Sequence, residues 1–326
     1  MYNFSISSFK ALPMKTLLIK IFFFAIIPPL VFLIGMLLPP TPLANEYLLK
    51  IRPFKDSLIQ NVKKPRIIFI AGSSMNFGLN SRVFKDSLHR NPINTGIHGG
   101  TGLYFMMDHN LPYIQNGDIV VLVAEYHQMY GNFAEGGEEL LRVIFDNSQP
   151  SLYFKLRKNQ KDKIYPYIPK YSMSKFMPSQ YFNLKMNPVY SVNAYNEFGD
   201  AVAHWKMNYG KKIIPFNNIE GGAFNHDLLK SIVKFGAAVK AKGAILYVSY
   251  PPFQRISFEN CKTQIDYLDK ELRNTGMNVI GTPEKFIVDD DLLYDTPYHL
   301  NKKGVDRRTL LLLQDIRSAM AKDGIR

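Results

Sequence analysis

Cysteine is all but absent. The 326 residues hold one, Cys261, so neither an intrachain disulfide nor a cysteine-based zinc cluster can form. Tryptophan is as scarce, with Trp205 alone, and acidic residues are outnumbered 27 to 40 by Lys and Arg. What remains is 46% hydrophobic and 21% charged, which excludes a chain held open by charge and low hydrophobicity. A core of this size is stable without disulfides, so an extracytoplasmic location stays open. No internal repeat and no low-complexity tract interrupts the sequence.

The net charge of +13 points to an anionic partner: nucleic acid, acidic lipid or a charged glycan. Much of it lies in one stretch. Between Ser151 and Pro215, eleven Lys and Arg (Lys155, Arg157, Lys158, Lys161, Lys163, Lys170, Lys175, Lys185, Lys206, Lys211 and Lys212) face only Asp162, Glu197 and Asp200.

The longest apolar run, from Ile21 to Leu38, carries no charge and no polar face. With Thr16 to Lys20 before it, it is long enough for a bilayer helix, since about 20 residues at 1.5 Å each cross a core of roughly 30 Å. A transmembrane helix is expected over 16–38, and Pro28 and Pro29 within it are better tolerated in a bilayer than in a soluble helix. Lys10, Lys15 and Lys20 precede the run or open it, and no acid occurs before Glu46, so residues 1–15 are expected in the cytoplasm and the rest outside it. The competing reading is a cleaved signal peptide ending at Ala44, but Pro42 at its −3 position is a poor match to a small-residue site. Residues 39–64 then read as a linker, and residues 65–326 as the folded domain.

In that domain the runs Arg66 to Ala71, Ile93 to Thr95, Ile119 to Ala124, Ala244 to Ser249 and Asn278 to Ile280 are apolar without alternation, the pattern of strands covered on both faces. Helical patterns fall between them: Ser81 to His89, Leu103 to Ile114, Asp227 to Lys242, Cys261 to Asn274, and Lys302 to Lys322 capped by Asn301. The alternation predicts an α/β fold, a three-layer sandwich around a parallel, flavodoxin-like sheet whose ligands bind at the carboxyl ends of the strands. A segment at about 130–225, rich in Pro, Asn, Lys and Tyr, reads as an insertion.

Three segments offer chemistry. Gly72-Ser73-Ser74 followed by Gly78 closes the first strand and puts a hydroxyl at a helix start, where backbone N–H groups can steady an oxyanion. Ser74 is the candidate nucleophile; the same residues also read as a turn with an N-cap. Near the C-terminus, Asp295 and His299 supply a base and the carboxylate that would orient it, or else form a helix-capping loop. After the second strand, Asn94 to Gly102 reads as a close-approach loop centred on Gly96 or as a glycine-rich turn; its spacing is not that of a dinucleotide loop. Asp289, Asp290 and Asp291 read as a solvated loop, and His109, His204 and His226 as surface or capping groups. No cofactor and no metal is expected.

Together these residues resemble the SGNH (GDSL-like) hydrolase superfamily. Gly72-Ser73-Ser74 with Gly78 is similar to its nucleophile block, with Ser73 in place of the acid; Gly96 to its second-block glycine; and Asp295, His299, Asn301 and Gly304 to its C-terminal block, with one extra residue between acid and base. The resemblance runs from about Arg66 to Arg326, leaving the insertion outside it. It implies a catalytic set of Ser74, His299 and Asp295, with Ser74 and Gly96 amides in the oxyanion hole. The family's third-block Asn is replaced by Ala124-Glu125-Tyr126-His127, where an ionised Glu cannot donate, so either Tyr126 or His127 would substitute or the hole would have only the Ser74 and Gly96 amides. Similarity to membrane-anchored members implies a serine esterase or O-acyltransferase acting on an envelope polysaccharide or related polymer. Its expected partners are the membrane (through a single span), an anionic glycan and a membrane-bound acyl donor protein. Nucleic acid is not expected on the outer side of a membrane. The alternative is a non-catalytic binding or assembly module of an envelope polysaccharide system.

Overall fold

Four short strands pair into one parallel sheet in the computed structural model, which describes residues 13–182, 184–207, 212–219 and 221–325. They are β1 (Arg66–Ala71), β2 (Asn91–Asn94), β3 (Ile119–Val123) and β4 (Ile245–Ser249), in the order β2-β1-β3-β4. Ile68 pairs with Ile93 on one side and Val120 on the other, and every residue of β1 and β3 is buried. Full burial explains the unbroken apolar runs, because a strand covered on both faces has no solvent side to mark. The stretch predicted as a fifth strand contributes a single parallel bridge, Val279 to Val248. At the amino end of β1, Arg66 Nε donates to Asp118 Oδ1 at 2.9 Å, with both side chains fully buried.

The helices are α1 (Met14–Leu37), α2 (Arg52–Asn61), α3 (Ser81–Leu88), α4 (Leu103–Asn110), α5 (Glu138–Phe145), α6 (Ile168–Ser174), α7 (His226–Ala241), α8 (Lys262–Asn274) and α9 (Lys302–Lys322). Asn301 caps α9 by accepting from the Gly304 N–H at 3.1 Å. Gly243 and Gly276, both at φ 73°, follow α7 and α8 in the left-handed region that stops a helix.

α1 is long and apolar enough to cross a membrane and runs unbroken through Pro28 and Pro29. Residues 1–12, including Lys10, and Lys211 of the basic stretch lie outside the described residues. The C-terminal end of α1 is docked. Ser172 Oγ of α6 donates to the Phe32 carbonyl at 2.8 Å, and a Cβ on Gly35 would lie 2.6 Å from the Ser172 carbonyl oxygen, so only glycine permits this approach.

Residues 39–64, expected as a linker, are folded onto the domain. A short helix, Pro42–Glu46, and a turn, Leu48–Ile51, lead into α2, which buries Arg52, Lys55, Asp56 and Ile59 at helical spacing. The insertion is packed as well: Leu140, Leu141, Ile144, Ile164 and Tyr171 share a second core with Leu48, Leu49 and Ile51. Several of its cations are paired at home. Lys175 Nζ lies 2.7 Å from Asp146, Arg157 donates to both oxygens of Asp108 at 3.0 Å, Lys170 meets Glu138 and Lys158 meets Asp162.

Candidate active site

The carboxyl ends of β1, β2 and β3 open onto one rim, so the residues that follow each strand gather there without any help from sequence proximity. After β1, Gly72 turns the chain into a short helix, Ser73–Asn76. Ser74 is fully buried and its Oγ makes no hydrogen bond among the described residues. Its backbone N–H donates to Glu125 Oε1 at 2.7 Å, and Ser73 Oγ approaches the same oxygen at 3.3 Å.

Across the rim, Asp295 Oδ1 lies 2.8 Å from His299 Nδ1, leaving Nε2 as the free ring nitrogen of this pair. The imidazole stacks on Phe77 with centroids 4.4 Å apart, and Tyr190, from the insertion, donates its hydroxyl to the other oxygen of Asp295. Burial alone would raise the Asp295 pKa, but the His299 hydrogen bond and charge outweigh it and hold the group below the usual carboxylate value. Asp295 is thus a clamped anion beside an imidazole.

Gly96, after β2, comes within reach of the same turn. A Cβ there would lie 2.7 Å from the Gly72 carbonyl oxygen. Its N–H donates to Asn94 Oδ1 at 3.0 Å, and its carbonyl accepts from the buried ammonium of Lys55. Lys55 also donates to Asn76 Oδ1 at 3.1 Å and to the Gly199 carbonyl at 2.8 Å, tying α2, the serine turn, the Gly96 loop and the insertion to one group. Burial holds its pKa well below the usual lysine value, against the pull of Asp200.

A cavity of about 410 Å³ opens on this rim, its wall including Ser73, His98, Glu125, His127, Phe216 and His299. Ser74 lies behind this wall, next to Ser73. The two residues considered as replacements for a missing oxyanion donor part company here. His127 faces the cavity, 3.6 Å from Glu125 Oε2, and burial lowers its pKa, favouring the neutral ring. Tyr126 does not: its ring packs on Phe253 and its hydroxyl is buried without a hydrogen bond among the described residues, so it is no donor to this site. Both lie in the single 3-10 turn Tyr126–Met129, where successive side chains point about 120° apart.

Several contributors were not foreseen. His204, expected at the surface, is fully buried with Phe77 and Tyr294 against its ring, and burial followed by the charge of His299 lowers its pKa to about 4. His109, likewise expected outside, is mostly buried with Nε2 3.0 Å from Asp56. Tyr190, Lys55 and Phe77 carry no motif and are found only through the fold. His98, whose Nδ1 accepts from the Gly100 N–H at 3.1 Å, sits inside the glycine-rich segment and was the one legible addition. Asp289 pairs with Arg255 and Asp290 accepts from Gln254 at 2.7 Å. Among the described residues, no group of three or more His, Cys, Asp or Glu is arranged to hold a metal ion.

No family model matches the chain, and no curated protein or solved structure matches it significantly.

Proposed function

We propose that the chain is a membrane-anchored serine esterase or O-acyltransferase of SGNH type, acting on an envelope polysaccharide or related polymer. The observation that carries the reading is the hydrogen-bonded Asp295–His299 pair, whose imidazole lines the same cavity as Ser73 of the Gly72-Ser73-Ser74 turn. The sheet order β2-β1-β3-β4, with Val279 bridging in the next place, supports a flavodoxin-like three-layer sandwich. Lys15 and Lys20 at the start of α1 support an N-terminus in the cytoplasm, with the domain on the outer face. The basic insertion would meet an anionic glycan, and a membrane-bound protein would supply the acyl group.

In this reading Ser74 Oγ attacks an ester or thioester carbonyl and His299 Nε2 takes its proton. Asp295, held by Tyr190, stabilises the imidazolium, and His299 returns the proton to the leaving group as the acyl-serine forms. A water or a polymer hydroxyl then takes the acyl group by the reverse sequence. The amides of Ser74 and Gly96 must exchange their present acceptors, Glu125 and Asn94, for the oxyanion. Ser74 is taken as the nucleophile from its place in the Gly72-Ser73-Ser74 block; its Oγ is buried behind Ser73, so the attack requires this turn to open. A fluorophosphonate probe on the full chain in detergent, read by peptide mass spectrometry, should mark Ser74; the adduct should vanish in Ser74→Ala and persist in Ser73→Ala. A folded protein that stays unmarked would overturn the reading, and an adduct on Ser73 would reassign the nucleophile.

One observation favours the second reading, a non-catalytic assembly module: the Glu125 carboxylate already occupies the Ser74 N–H that an oxyanion would need. The readings part at this residue. Glu125→Ala should speed probe labelling on the order of tenfold or more by freeing that donor. If the variant folds and remains as silent as its parent, the module reading gains.

A further inference from the structure

We infer that the segment from Met173 to Phe182, at the end of α6, is a foot that enters the lipid leaflet beside α1. The inference rests on α1 being a span and not on the catalytic reading. From Met14 to Leu30, α1 is bare on every side apart from a partly covered Thr16, and this part measures about 25 Å at 1.5 Å per residue. A hydrocarbon core is roughly 30 Å thick. The apolar span must therefore run past Leu30 into Phe32–Gly35, the level at which α6 packs. α6 and the turn after it thus sit at the hydrocarbon boundary.

Their side chains suit that depth. Tyr171, Ser172, Ser174 and Lys175 face inward and are buried, whereas Met173, Phe176, Met177, Tyr181 and Phe182 are exposed, Phe182 by 70%. An exposed apolar cluster of this kind is costly in water and marks a contact surface. Thr41, just past α1, ties the segment down a second time through Gln180 at 3.2 Å, so the cluster cannot drift from the anchor's axis. Aromatic and Met side chains with the exposed Lys185 beside them form the composition of an interfacial belt, with apolar bodies in the acyl boundary and cations toward anionic headgroups. The occupant of this face is the leaflet itself.

The test uses the full chain in vesicles of phosphatidylcholine and phosphatidylglycerol, with Trp205→Phe removing the only native indole. Single tryptophans are placed by Phe176→Trp, Phe182→Trp, Phe23→Trp within α1, and Leu310→Trp on α9, which packs against α3. Lipids brominated on their acyl chains quench nearby indoles. The Phe176 and Phe182 positions should lose roughly half their emission, as for rings about 5–10 Å into the interface. The Phe23 position should be quenched more and the Leu310 position hardly at all. Quenching at Phe23 but not at Phe176 or Phe182 would overturn the foot and leave the anchor standing. No quenching at Phe23 would remove the span itself, and the foot with it.

Discussion

His299→Gln is expected to slow fluorophosphonate labelling of the serine by about 10²–10⁴-fold, the usual worth of a positioned general base. The variant should still fold, since glutamine retains much of the volume stacked on Phe77. Asp295→Asn should also slow labelling, because the amide would present His299 Nδ1 with the wrong partner. Asp295 is held below the usual carboxylate value, so it stays ionised as the medium is acidified through the range in which imidazoles titrate. Protonation of Asp295 therefore does not account for any loss of labelling in that range. Stability follows a different rule: the contribution of Asp295, whose folded pKa is depressed, persists above the unfolded carboxylate value and is lost only as pH falls through the lower folded value. A stopped labelling time course across pH separates the two. Equal rates for His299→Gln and its parent would remove the base from the mechanism.

The second large effect belongs to Lys55→Met. Methionine matches the stem in volume but leaves the Gly96 and Gly199 carbonyls and Asn76 Oδ1 buried without their donor. Unsatisfied buried groups cost about 1–3 kcal/mol each, so a net loss of about 3 kcal/mol is expected even after the relief of no longer burying an ammonium. In a domain of this size that lowers Tm on the order of 5–10 °C, measurable by scanning fluorimetry. Labelling of the serine should slow as well, because Lys55 fixes the carbonyl of Gly96 and the side chain of Asn76 on either side of the serine turn. An unchanged Tm would mean that Lys55 is a passenger in its pocket.

Three strands were legible because burial on both faces leaves continuous aliphatic runs: Arg66 to Ala71 is read identically from sequence and structure, whereas β2, expected at Ile93 to Thr95, runs Asn91–Asn94 and the Asn278 to Ile280 run gives only a bridge. α9 was legible for a local reason, the Asn301 cap. The stretch 39–64 misled because α2 buries three charged residues, Arg52, Lys55 and Asp56, and a charged run reads as solvated unless its partners are known. Those partners are remote in sequence, which no periodicity reveals. Glu125 shows the same limit from the other side. Sequence marks it as a carboxylate that cannot donate, but only the fold brings its oxygen to the amide of Ser74. Tyr126 was a plausible donor by type and fails by direction.

The clasp between α1 and α6 has a mechanical consequence. With Gly35 against Ser172 and the following residues folded down through Leu48 and Leu49, nothing acts as a leash. If α1 spans a bilayer as proposed, the strand rim cannot range through the space above it; it stands at one fixed altitude and one fixed azimuth about that helix. Whatever it serves must arrive at that height, so geometry rather than affinity would decide which part of a long polymer is touched.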